Sequence, residues 1–122
     1  MALDEANHRL FVGTRDPPKL MVFDTINSGK VVSILDIAKD PDDIFYDAAK
    51  KQIYVSCGEG FINIFQQQQQ QEEDANHYNA IASIPTAPGA RTSLFASELN
   101  RFYVAVPHLG NQESEILVYQ VG

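Results

Sequence analysis

A short hydrophobic motif recurs three times along the chain. It reads Arg9-Leu-Phe-Val-Gly13, Gln52-Ile-Tyr-Val-Ser56 and Arg101-Phe-Tyr-Val-Ala105: a polar residue, an apolar one, an aromatic one, valine, then a small residue. Each copy follows a turn-like stretch, Asp4-Glu-Ala-Asn-His8, Asp47-Ala-Ala-Lys-Lys51 and Ser97-Glu-Leu-Asn100. A second segment comes after each copy, as Leu20-Met-Val-Phe-Asp24, Ile62-Asn-Ile-Phe-Gln66 and Leu117-Val-Tyr-Gln120. Two more segments occur twice: Val31-Val-Ser-Ile34 with Ile81-Ala-Ser-Ile84, and Ile44-Phe-Tyr46 with Ser93-Leu-Phe95. The motif copies begin 43 and then 49 residues apart.

Runs of this length, rich in Val, Ile, Phe and Tyr and split by Gly, Pro, Asn and Asp, predict strands. No apolar period of 3.6 residues is sustained, so no helix is expected. Each repeat therefore predicts four short strands, A to D in chain order. Leu10-Phe-Val12 and Leu20-Met-Val-Phe23 do not alternate, which predicts sheets covered on both faces. Four-stranded sheets stacked face to face at a period of about 40–50 residues are the propeller signature. The expected fold is all-β, with β-propeller blades: about three four-stranded antiparallel sheets in a partial propeller arc. The single domain, 1–122, divides into blade-like repeats at about 1–43, 44–92 and 93–122, the last ending at strand C. Such an arc leaves apolar blade faces and unpaired edges at its two ends, so self-association through those faces is expected.

Composition narrows the partners. A chain of 122 residues, 44% apolar and 20% charged, fits one globular domain. A net charge of −7 argues against a nucleic-acid or anionic-membrane surface. No apolar run approaches the roughly 18 residues that a membrane helix needs. One cysteine, Cys57, excludes an intrachain disulfide and a multi-cysteine zinc site. The stretch Met1 to Arg9 carries neither a signal-peptide nor a transit-peptide pattern.

Chemistry is expected mainly in loops. In an up-and-down blade the B–C and D–A connections emerge on one face. That face would gather Arg15, Asp16, Asp42, Asp43, Glu59, Arg91 and His108. Mixed charges on loops are usually solvated. The functional alternative is a site for a small polar ligand or a protein partner, built from Arg15, Asp42, Asp43, Arg91 and His108. Arginine offers a planar fork to carboxylate or phosphate, and histidine titrates near neutrality. Asp42 and Asp43 lack the loop pattern of a calcium site. His8, His77 and His108 form no zinc motif, and the first two follow asparagine in turn-like settings. Gly58-Glu-Gly60 is no phosphate loop, there is no nucleophile elbow, and no cofactor is implied. Cys57 reads as a lone thiol near a sheet end. The run Gln66 to Gln71 with Glu72-Glu-Asp74 predicts a flexible, solvated loop over 66–78. The alternative there is a β-prone extension of strand Ile62-Asn-Ile-Phe65 that promotes association.

Ala2-Leu-Asp-Glu-Ala-Asn-His-Arg-Leu-Phe-Val12, followed by Leu20-Met-Val-Phe-Asp24 and Ser28-Gly-Lys-Val-Val32, resembles the YVTN-type β-propeller repeat. Ile84-Pro-Thr-Ala-Pro-Gly-Ala-Arg-Thr-Ser-Leu-Phe95, with Arg101-Phe-Tyr-Val-Ala-Val-Pro-His108 and Glu115-Ile-Leu-Val-Tyr119, is similar to the last blades of bacterial YncE-like propellers. The resemblance implies a WD40-like, ring-forming fold whose carboxy-terminal blades this chain represents. It also implies a periplasmic or secreted location. It specifies a fold more than an activity. The expected function is a non-enzymatic scaffold for ligand or protein binding. The alternatives are a propeller enzyme of lactonase or oxidoreductase type and an inactive fragment of a larger propeller.

Overall fold

The turn before each copy of the recurring motif ends on a left-handed residue: His8 (φ 58°), Lys51 (φ 56°) and Asn100 (φ 52°). In each case that residue's carbonyl accepts a backbone N–H from the end of the third strand. The donors are Thr25 at 3.0 Å, Gln67 at 2.9 Å and Val121 at 2.9 Å. Asp4 and Asp47 brace their turns by accepting the backbone N–H of Asn7 at 3.3 Å and of Ala49 at 3.1 Å. A turn with the same left-handed end thus recurs three times, between the first and second strands of each sheet.

The computed structural model describes residues 1–68 and 77–121. These form three antiparallel sheets of four, four and three strands, each in simple chain order. The first holds β1 (Ala2–Asp4), β2 (Arg9–Arg15), β3 (Pro18–Asp24) and β4 (Val31–Asp36). The second holds β5 (Pro41–Asp47), β6 (Gln52–Cys57), β7 (Phe61–Gln68) and β8 (His77–Pro85). The third holds β9 (Thr92–Ala96), β10 (Arg101–Val106) and β11 (Glu115–Gln120). The three motif copies are β2, β6 and β10, the second strand of each sheet. The first strands succeed one another in space, β5 lying against β1 and β9 against β5.

The expected loop over 66–78 is corrected at both of its ends. Gln66, Gln67 and Gln68 continue β7, while His77 and Tyr78 open β8, with Gln68 paired to His77. Ladder bonds and a buried place for Gln67 offset the cost of ordering this polar segment. Residues 69–76 of that loop lie outside the described residues. His77, expected in a turn, therefore starts a strand. The second sheet also begins earlier than the expected break at residue 44, because β5 starts at Pro41.

Register decides which side chains share a face. Phe11 sits opposite Val22 and Gly13 opposite Leu20. Tyr54 and Ile64, then Ser56 and Ile62, are the matching pairs in the second sheet. Tyr103 and Val118, then Ala105 and Ile116, match them in the third. We call this the back face. In the first sheet it packs Phe11, Leu20 and Val22 on Ile53, Val55 and Phe65 of the second. In the second sheet it packs Tyr54 and Ile62 on Phe102 and Val104 of the third. Each fully buried side chain of this kind contributes about 1.5–3 kcal/mol. In the third sheet the back face is open, and Ile116 is 61% exposed. The front face of the first sheet is open too, with Leu3 48% exposed. Coverage on both faces, expected from the unbroken apolar runs, therefore holds for the second sheet alone among the described residues.

Candidate functional site

The loop ends of the three sheets meet through one acidic side chain. Asp40 lies in the turn before β5 in a left-handed conformation (φ 60°). Its carboxylate bridges arginines from the sheets on either side. Arg91 Nε donates to Asp40 Oδ2 at 2.7 Å, and Arg15 Nε lies 3.6 Å from Asp40 Oδ1. Arg15 also sits 3.6 Å from Asp42 Oδ1 and donates to the Pro41 carbonyl at 3.4 Å. Gly58 makes room for the bridge. Its N–H donates to the Asp40 carbonyl at 2.7 Å, and a Cβ at Gly58 would meet Asp40 Oδ2 at 2.0 Å.

Asp43 faces the third sheet. Its Oδ2 accepts the backbone N–H of Ser93 at 2.8 Å. Beside it, Ser56 Oγ donates to the Arg91 carbonyl at 2.7 Å and lies 2.8 Å from Ser93 Oγ. Glu59 is turned to the backbone and accepts the Lys39 N–H at 2.8 Å. Asp16 is exposed in the turn between β2 and β3. His108 lies in the β10–β11 connection, next to Pro107, and is exposed. Thus Arg15, Asp42, Asp43 and Arg91 join one chain of contacts between sheets, and His108 stands apart from it. Each ion pair is partly exposed and worth about 0–1 kcal/mol, so its role is to set how neighbouring sheets align.

Chemically this face is largely self-satisfied. The arginines already hold carboxylates, and Asp43 already holds a backbone donor. Among the described residues, no three His, Cys, Asp or Glu side chains are grouped to hold a metal ion. Cys57 ends β6 fully buried, and burial pushes its thiol up to about 12, with Glu59 and Asp40 adding to the rise. It is therefore an uncharged thiol near neutral pH.

Two features escaped the sequence. Asp40 had no signal beyond being one acid among four in its loop. The other lies at the A–B turn end, where Gln67 is 3% exposed between the first and second sheets. Gln67 Nε2 donates to Asp4 Oδ2 at 3.2 Å and to the Tyr78 hydroxyl at 3.4 Å. Gln67 Oε1 accepts the Tyr46 hydroxyl at 3.1 Å. Burial raises both phenols, that of Tyr78 to about 12 and that of Tyr46 further, so both stay protonated. The available signal was period two: Gln67 shares a face with Phe65 once the strand continues past it. Comparison with protein-family models finds no match for this chain, and comparison with curated proteins finds none.

Proposed function

We propose that the chain is a run of β-propeller blades that serves as a non-enzymatic binding scaffold, and that copies of it assemble through their open end faces. Three sheets of one design, with successive first strands and loops gathered at one end, support the propeller reading. The likeness to YVTN-type repeats supports it as well.

The observation that carries assembly is the match between buried and free faces. Inside the chain, each back face is covered by the next front face. The two faces left open are one of each kind: the back of the third sheet and the front of the first. A second copy can repeat the internal contact head to tail, and two such contacts close a ring of six sheets. At the loop end a partner would meet Arg15, 62% exposed at its side chain, together with Arg91 and His108. Rigid sheets that position polar loop groups act by geometry alone. The exposed fork of Arg15 favours binding at this face, and the buried, protonated Cys57 is no nucleophile for catalysis.

Light scattering at micromolar concentration tests assembly. The expected mass is about twice the 13.6 kDa of one chain. Ile116→Lys, a change on the exposed back face, should return the mass to that of a single chain. A wild-type protein that stays at 13.6 kDa overturns the assembly.

A further inference from the structure

The third sheet has three strands among the described residues where the other two have four, and β11 pairs only with β10. Among the described residues the bonding groups on its other side meet no strand. Directly behind that edge, between the second and third sheets, lies a cavity of about 210 Å³. Its wall is apolar, from Ile62, Ile64, Ile81 and Ile84 on one side and Phe102 and Tyr119 on the other. This exceeds the roughly 150 Å³ that admits a benzene ring.

The junction between the first and second sheets shows what fills the equivalent space. Phe11 and Tyr54 are equivalent by register, as are Leu35 and Ile84, each paired opposite its sheet's Leu20 or Ile62. Val32 and Ile81 are each the extra residue of a bulge at the same step. At the first junction Val32 and Leu35 are packed, as Ile84 is at the second, and Tyr78 of the fourth strand stands edge-on to Phe11 at 5.7 Å. At the second junction no described side chain takes that place, and Ile81 is 50% exposed. Tyr78 pairs with Gln67. The equivalent of Gln67 is Val121, whose N–H makes the same bond to the turn carbonyl. Val121 lines the cavity.

We infer that this edge of β11 receives an extended peptide strand that places an aromatic side chain opposite Val121, inside this cavity. The occupant runs antiparallel to β11 and carries the chemistry of the first half of β8: one aromatic residue followed by small ones. Backbone bonds to β11 supply affinity, and the ring supplies specificity. Covering the end faces would not cover this edge, so this inference stands apart from the assembly proposed above.

The probe is a labelled synthetic peptide of residues 77–85, His-Tyr-Asn-Ala-Ile-Ala-Ser-Ile-Pro, titrated by fluorescence anisotropy into the wild type and into Ile116→Lys. The expected result is saturable 1:1 binding to both proteins. A peptide with Tyr78→Ala should bind at least about tenfold more weakly. Two peptides N-methylated at alternate residues should differ, one pattern binding and the other not, because only every second N–H faces the partner strand. Absence of saturable binding overturns the inference. So does equal binding of the alanine peptide, or an equal effect of both methylation patterns, which would indicate an apolar pocket without strand pairing. Binding to Ile116→Lys alone would assign the edge to a second copy and overturn a peptide occupant.

Discussion

The two junctions between sheets are built from the same parts and end differently. Phe11 meets Tyr46 at 5.4 Å across the first, and Tyr54 meets Phe95 at 5.2 Å across the second. These are equivalent pairs by register, Tyr46 opposite Ile53 and Phe95 opposite Phe102. The first junction fills the equivalent place with Tyr78 and the Gln67 cluster. The second has neither and holds a cavity. Repeating the strands of a sheet is therefore not enough to fill a junction. The fourth strand must bring its own side chain, because a rigid stack does not collapse into a space of that size.

The largest test makes the filled junction resemble the open one. Tyr78→Ala removes a ring that is buried against Phe11, and about 3–5 kcal/mol of stability should be lost in urea unfolding. A loss well under that range would mean that the ring does not fill the junction. Next in size is Gln67→Ala. It leaves the buried Asp4 carboxylate and the Tyr46 hydroxyl short of a partner, and a loss of about 1–3 kcal/mol is expected in the same assay. The smallest effect has the opposite sign. Ile81→Phe extends a half-exposed side chain into the cavity of the open junction and should gain about 0.5–2 kcal/mol, seen as a raised Tm. A lowered Tm there would show that the space is not available to a ring.

Much of the strand order was legible beforehand. Short Val-, Ile- and aromatic-rich runs between turn residues mark β2, β6 and β10 and the strands beside them, and register confirms that these motif copies are equivalent. Reading failed where a polar residue is held by partners far along the chain. Gln67 looks like part of a solvated run, yet its amide is bound by Asp4, 63 residues away. The loop charges were legible as a group on one face, but their pairing was not. Asp42 and Asp43, adjacent in sequence, turn to different sheets, and Asp40 carries the bridge to both arginines.

The sequence by itself determined the repeat, its recurring turns and most of the strands, because period-two alternation and left-handed turn residues act over a few neighbouring positions. Only the tertiary structure decided which apolar faces are covered, where the cavity falls and which charges are already spent on each other. Those outcomes depend on how one sheet stacks on the next, and stacking joins residues tens of positions apart.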